Sequence, residues 1–305
     1  MTGTPTLVRT RAELDTALRA GDGSRRAVVM TMGALHAGHL SLVEQARALA
    51  DTVVVTIFVN PLQFAPTEDL SRYPRDLEGD VRLLTAPGLL RAGDVVFAPT
   101  PDVVYPDGDP VVRVSAGSVG DVLEGAARPG HLDGVLTVVL KLMHLTRPDV
   151  ALYGEKDAQQ LAAIRRMVHD LDVPVEVVGA PLVRDADGLA LSSRNAYLTA
   201  EERDRALGLS RALRAGVERA ASGATASEVR AAAGAELAAS GVDDVDYVAL
   251  VDPSTFAEVP DDVHGDALLL LAARVGTTRL IDNTALTLAP STGVGARTAP
   301  EGARA

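Results

Sequence analysis

The feature that most constrains this chain is a repeated alternation of short, apolar, β-branched runs with longer segments of helical periodicity. Residues 27–31 and 52–59 are apolar over most of their length, as strands are when both faces of a sheet are covered. Between them, residues 39–50 place Leu40, Val43, Ala46 and Ala50 on one helical face. Strand, helix, strand in this order is a βαβ unit. The pattern continues with helices expected over 80–84, 134–145 and 158–169, the last turning Leu161, Ile164 and Val168 inward. Strands are expected over 94–97, 150–153 and 175–178. Such a chain is α/β, with a doubly wound, mostly parallel, Rossmann-like sheet.

The pattern changes near Arg184. Asp187-Gly188 is a turn signal. Two helices follow, each opened by a capping box, Thr199-Ala200-Glu201-Glu202 and Thr225-Ala226-Ser227-Glu228. Ala206, Leu213 and Val217 mark the inner face of the first. Strands are then expected over 247–251, 267–273 and 284–288. This reads as a second, smaller α+β domain. The expected organisation is a Rossmann-like domain over 1–183, a small lid domain over 184–290 and a disordered tail over 291–305, where Gly, Ala, Pro and Thr dominate.

Composition removes several function classes. With no cysteine there is no disulfide, no thiolate nucleophile and no cysteine-based zinc site, which fits a reducing cytoplasm. The first twenty residues carry Arg9, Arg11 and Arg19 and lack the apolar block of a signal peptide. The longest apolar run, 267–273, is too short to span a bilayer, so no membrane role is expected. A formal net charge of −12 disfavours nucleic acid as a partner. It also means that a site for a polyanion must gather its positive charge locally. Of 29 basic residues only two are lysine, Lys141 and Lys156. A lysine kept among so many arginines suits a place that needs a compact, flexible ammonium.

The chemistry concentrates at strand-to-helix turns, where open parallel sheets bind their ligands. Thr31-Met32-Gly33-Ala34-Leu35-His36-Ala37-Gly38-His39 joins the first apolar run to its helix. A helix start there offers free N–H groups to phosphate. Gly33 and Gly38 let the backbone approach a ligand, and His36 and His39 donate hydrogen bonds, as cations if the site raises their pKa. Asn60 and Gln63 follow the next strand, where amides suit hydroxyl and carboxylate groups, although Asn60-Pro61 also reads as a capped turn. Gly154-Glu155-Lys156-Asp157 forms another such turn. The Lys156 ammonium can neutralise charge building on a phosphate, and Asp157 also stands where an N-cap would. Ser192-Ser193-Arg194-Asn195 sits at the domain junction with hydroxyls and a guanidinium for phosphate oxygens. Lys141, inside a helix, reads as structural. Asp80 is a candidate Mg²⁺ partner, or else an exposed helix carboxylate.

Taken in order, these strings resemble the pantoate–β-alanine ligase family, within the HIGH-type nucleotidyltransferases. The resemblance adds Ile57-Phe58-Val59-Asn60-Pro61-Leu62-Gln63-Phe64, Leu123-Glu124-Gly125, Arg128-Pro129-Gly130-His131, Gln159-Gln160-Leu161, Leu191 and Thr278-Arg279-Leu280-Ile281-Asp282-Asn283. Met30, Ala37 and Ala158 depart from the family strings at neighbouring positions. The resemblance places Met32, Gly33, Ala34, Leu35, His36, Ala37, Gly38 and His39 on ATP. It does the same for Gly154, Glu155, Lys156, Asp157, Val183, Leu191, Ser192, Ser193 and Arg194, with Val183 meeting adenine through its backbone. It places Gln63, Gln160, Asn60, Arg128 and His131 on the acid substrates. His36, His39, Lys156 and Arg194 are then the expected catalytic residues.

The implied reaction is a two-step ligation. ATP and (R)-pantoate give a pantoyl adenylate and pyrophosphate, and β-alanine then displaces AMP to give pantothenate. ATP, Mg²⁺ and the two small acids are the implied ligands, and a cytoplasmic homodimer the implied form. A plain nucleotidyltransferase and a nucleotide-binding regulatory module are the alternatives. The Gly154–Gln160 and Ser192–Asn195 strings argue against the first, and intact His36, His39, Lys156 and Arg194 against the second.

Overall fold

The computed structural model describes residues 3–21, 23–64, 70–86 and 88–289. The tail expected over 291–305 lies outside the described residues. In chain order the first half runs β1 (Thr6–Val8), α1 (Arg11–Arg19), β2 (Arg26–Thr31), α2 (Ala37–Leu49), β3 (Thr52–Ile57), α3 (Leu77–Thr85), β4 (Val95–Phe97), α4 (Pro101–Val104), α5 (Leu123–Ala127), α6 (His131–Thr146), β5 (Val150–Gly154), α7 (Ala158–Asp170) and β6 (Glu176–Ala180). The second half runs α8 (Ala200–Ala221), α9 (Ala226–Ala239), β7 (Asp244–Val251), β8 (Gly265–Val275) and β9 (Thr278–Leu288).

Strands β1 to β6 form one sheet in the order β1-β4-β3-β2-β5-β6, with every pair parallel. From β2 the chain moves outward through β3 to β4, then returns to build β5 and β6 on the other side. The crevice between the ends of β2 and β5 is therefore the topological switch point, where such sheets bind ligands. The alternation of side chains along β2 explains why both faces are covered. Ala27 and Val29 pack with Leu42, Val43, Ala46 and Leu84 of α2 and α3. Val28 faces the other way, into a core with Leu14, Leu18, Val139, Leu142 and Ile164 of α1, α6 and α7. Arg26 is buried at the start of β2, where it donates to the carbonyls of Leu18, Thr146 and Arg147. It thus caps the C-terminal ends of α1 and α6, where cations are favoured.

Both capping boxes expected for α8 and α9 form, with Thr199 and Thr225 each bonded to the glutamate three residues on. The two helices cover an antiparallel sheet, β7-β8-β9, through a core that includes Leu209, Leu213, Val229, Leu237, Leu269 and Leu271. Four elements have no counterpart among those expected from the sequence, β1, α1, α4 and α5. The first residues of β9 read as a motif string rather than as strand, yet Thr278 pairs with Val275 and begins an unbroken ladder with β8. Helix α2 starts at Ala37, two residues earlier than its apolar face suggests, because His36 acts as its N-cap.

The halves meet through polar and apolar contacts. Arg279 of β9 makes a bidentate pair with Glu124 of α5 at 2.6 and 2.8 Å and also meets Asp246. The Tyr247 hydroxyl donates to the same Glu124 at 2.9 Å. Beside them Ala249, Val251, Phe256 and Leu270 pack on Leu123, Ala158 and Ala162. The small side chain at Ala158 is thus part of this contact. Met30, another departure from the family string, accepts a hydrogen bond from the Tyr153 hydroxyl at 3.5 Å.

Candidate active site

The β2–α2 turn is built around its own side chains. His36 Nδ1 accepts the Gly38 N–H at 3.2 Å, and His39 Nδ1 accepts the His36 N–H at 3.4 Å. The rings lie 4.1 Å apart. An imidazole nitrogen that accepts a backbone N–H carries no proton, so each neutral ring has its hydrogen on Nε2. Burial pushes the His39 pKa down to about 3, and the neighbouring His36 adds to the shift. His36 is also pushed down, first by burial and then by Lys156, against the opposing pull of Asp157 and Asp185. The condition for cationic histidines is not met, since both pKa values are lowered rather than raised.

The glycines have a local reason too. Gly33 sits at φ +81°, and a Cβ there would press on Asp80 Oδ2 and Ile57. At Gly38 a Cβ would crowd the His36 ring. Asp80 is buried rather than exposed, which corrects the alternative reading of it. One carboxylate oxygen accepts the Ala34 N–H at 3.1 Å and the other the Leu35 N–H at 2.8 Å. Asp80 therefore holds the turn, including Ala34 at φ +50°, in place. This geometry speaks against the Mg²⁺ role expected for it. Burial raises its pKa, and the two N–H bonds oppose that shift.

Asn60 stands behind Gln63. It is buried, caps the 3₁₀ turn Pro61–Gln63, and accepts the Tyr105 hydroxyl at 2.9 Å. Its Nδ2 donates to Gln63 Oε1 and to the Gly134 carbonyl, each at 3.1 Å. Gln63 Nε2 donates to Met32 Sδ at 3.0 Å. A thioether is a weak acceptor, so that N–H is readily exchanged for a hydroxyl or carboxylate oxygen. The Gln63 carbonyl accepts His131 Nδ1 at 2.8 Å. A carbonyl only accepts, so His131 is protonated on Nδ1, and its Nε2 accepts from Arg128 at 3.0 Å. Arg128 is thereby anchored rather than merely solvated. Lys141 lies 5.5 Å from the centre of the Tyr105 ring, in line with its structural reading.

Between the halves opens a cleft of about 720 Å³ whose lining includes Arg128, His131, Lys156, Asp157, Gln160, Ser192 and Arg194. Asp157 occupies the N-cap position of α7, but its side chain makes no cap hydrogen bond. It lies 3.8 Å from Lys156 Nζ instead. Burial pushes the Asp157 carboxyl up, but Lys156 and Arg194 foremost outweigh it and hold it below the usual range. A strongly acidic protein has thus gathered cations at one place. Ser192 Oγ accepts the Arg194 N–H at 3.3 Å and fixes the start of the 3₁₀ turn Ser193–Tyr197. Gln159, the neighbour of Gln160, is structural: it is buried and bonds to Glu124, Val119 and Val122.

The other expected residues stand outside the cleft lining. They are the turn from Met32 to His39, together with Asn60, Gln63, Asp80, Gly154, Glu155, Val183, Leu191 and Ser193. The wall with the two histidines is still close to the cleft, since both rings feel Lys156 and Asp157. The Val183 carbonyl accepts the Leu191 N–H at 3.0 Å, closing the hairpin that leads into Ser192. Sequence reasoning gave no role to Arg279, Tyr247 or Asn283, which line the same cleft. For Arg279 and Asn283 the only pointer was their place in a matching motif string.

The family model for pantoate-beta-alanine ligase matches residues 6–285, which takes in the parallel sheet, the antiparallel sheet up to Ala285 of β9, and every part of this site. The chain belongs to the pantoate–β-alanine ligase family. A pantothenate synthetase of Thermobifida fusca is 58% identical, the match covering 93% of this chain and 97% of that protein. The crystal structure of pantothenate synthetase from Thermus thermophilus superposes with a TM-score of 0.85 at 48% identity, over 91% of this chain and 98% of that one. The pantoate-beta-alanine ligase of Francisella tularensis, solved with beta-gamma ATP and beta-alanine, has a TM-score of 0.76 at 31% identity, over 92% and 97%.

Proposed function

We propose that this ligase condenses (R)-pantoate with β-alanine to pantothenate at the cost of ATP, releasing pyrophosphate and AMP. The observation that carries the reading is the gathering of Lys156, Arg194 and Arg128 around one cleft, beside neutral histidines at a helix start. In the first step a pantoate carboxylate oxygen attacks the α-phosphorus of ATP. The bond to the bridging oxygen breaks, and pyrophosphate leaves with the electron pair. In the second step the β-alanine amine attacks the acyl carbon, AMP leaves, and the nitrogen gives up a proton.

In this reading the Nε2–H groups of His36 and His39 donate to phosphate oxygens from the helix start. The Lys156 ammonium and the Arg194 guanidinium offset charge that grows on the α-phosphate. Met32 to Leu35, Ala37, Gly38, Gly154, Glu155, Val183, Leu191, Ser192 and Ser193 shape the nucleotide side. Gln63 and Gln160 take pantoate, with Arg128 and His131 beside them and Asn60 behind Gln63. Residues 184–290 act as the lid over 1–183, keeping water from the adenylate.

Mg²⁺ belongs with the substrate. Among the described residues no three carboxylates and histidines converge on one point, and both oxygens of Asp80 are already engaged. The described side chains offer no ready-made cage for a resident ion, and the metal arrives on the ATP phosphates. A homodimer accords with the adjacent Val111 and Val112, 99% and 86% exposed. A cytoplasmic location goes with the use of ATP.

The test is turnover with MgATP and pantoate, then with β-alanine added. Pyrophosphate is expected with pantoate alone, and AMP only after the amine is supplied. Full-rate AMP release without β-alanine would overturn the ligase reading. No turnover with both acids would favour a nucleotide-binding module.

A further inference from the structure

Two neighbouring residues of β9 hold two different loops of the cleft. Asp282, 3% exposed, takes Arg184 in a bidentate pair at 2.6 and 2.9 Å. Arg184 Nη1 also donates to the Gly188 carbonyl at 3.1 Å, inside the hairpin that delivers Ser192 and Arg194. Asn283 is likewise buried, and its Nδ2 donates to the carbonyls of Glu155 at 3.0 Å and Lys156 at 2.8 Å. Two carbonyl oxygens can only accept, so the nitrogen end of the amide must face them, and both of its hydrogens are used. Successive side chains of a strand point to opposite sides, which is how adjacent residues reach the two loops.

The Lys156 turn lies between β5 and α7, and its side chain meets Asp157 only at 3.8 Å. An ammonium on a four-carbon stem has little conformational order of its own. Its backbone is where it can be fixed. The contact that fixes it comes from 127 positions away, on the other sheet.

We propose that Asn283 is a positioning residue for Lys156, setting the backbone from which the ammonium reaches the reacting phosphate. This rests on the ligase reading of Lys156 given above. Asn283 touches no reacting atom in this role. It makes the first step depend on β9 being seated against the Lys156 turn.

The experiment compares Asn283→Ala, Asn283→Asp and Lys156→Ala in the full-length protein, alone and with Asn283→Ala combined with Lys156→Ala. Pyrophosphate release gives kcat and KM for ATP, and melting curves report folding. Wild-type turnover is the control for the ligase reading itself. Asn283→Ala is expected to lower kcat on the order of 10- to 100-fold, the scale of a small misplacement, with KM for ATP moved far less. Asn283→Asp has nearly the same shape but faces two carbonyl oxygens with a carboxylate, so it is expected to lose more than the Ala variant. A residue needed only to fill space would show the reverse order. In the Lys156→Ala background the Asn283→Ala change is expected to cost almost nothing further, since no ammonium remains to place. An active wild type whose Asn283→Asp variant outperforms Asn283→Ala would overturn the proposal. So would a full, additive loss from Asn283→Ala on top of Lys156→Ala.

Discussion

Asp80→Ala separates two accounts of one carboxylate. In the structure this side chain is 4% exposed and accepts the N–H groups of Ala34 and Leu35. Its removal leaves two donors without their partner, each worth about 1–3 kcal/mol when buried. Losing the carboxylate also relieves its own desolvation, the cause of its raised pKa. The balance is a loss of about 2 kcal/mol. At roughly 2–4 °C per kcal/mol for a chain of this size, the melting temperature should fall by about 4–8 °C. The β2–α2 turn, with Gly33 at φ +81° and Ala34 at φ +50°, loses its clamp, so KM for ATP should rise as well. Both effects should be present without metal and should not respond to excess Mg²⁺. The measurements are a metal-free melting curve and pyrophosphate release across a Mg²⁺ titration. A variant as stable as wild type, with activity restored by high Mg²⁺, would show that Asp80 is a metal ligand and that the clamp argument is wrong.

Three further outcomes are expected. Lys156→Ala should cut pyrophosphate formation by roughly 10²- to 10³-fold, the scale for losing one electrostatic contact to a transition state, while ATP binding by calorimetry persists; near-normal turnover would remove its assigned role. His39 is held neutral down to about pH 3, whereas its ordinary pKa is 6.5. The unfolded chain therefore binds a proton that the folded one refuses, and this share of stability is complete above pH 6.5 and lost as the pH falls towards 3. Urea titrations should show about 2 kcal/mol less stability at about pH 5 than at about pH 6.5 from this group, and His39→Asn should flatten that acid limb. Arg279→Ala leaves Glu124 and Asp246 without their shared cation in a contact where Arg279 and Glu124 are only 16% and 13% exposed. A loss of about 3 kcal/mol is expected by denaturant titration, with a double-mutant cycle against Glu124→Gln showing coupling.

What the sequence disclosed follows from how local each signal is. The β2–α2 unit shows itself because apolar runs covered on both faces leave an unbroken apolar string. The starts of α8 and α9 show themselves because each capping box lies within four residues. Helix α1 has such a box too, Thr10 with Glu13, but only Leu14 and Leu18 are buried along it, so its apolar face is too thin to draw notice. Strand β1 has three residues, and only Val8 is buried. The start of β9 hides for another reason. Asp282 and Arg279 look unlike a buried strand, and they become so only through Arg184 and Glu124, many positions away. The same holds in the site. His36, Lys156 and Arg194 stand in recognisable strings, but the use of Asp80 depends on a turn 45 residues earlier. The neutral state of the histidines depends on burial, which no string records.

The interlocked imidazoles divide the site into two kinds of wall. His36 and His39 present uncharged Nε2–H donors, because Nδ1 of each is committed to the backbone. Lys156 and Arg194 present full positive charge. In the proposed reading, a ligand that replaces a phosphate by a neutral group with two oxygens, such as a sulfonyl, keeps its hydrogen bonds on the imidazole wall and gives up little there. The same replacement opposite Lys156 and Arg194 forfeits an ion pair. The protonation pattern of one short turn thus sets where an adenylate mimic can shed charge and where it must keep it.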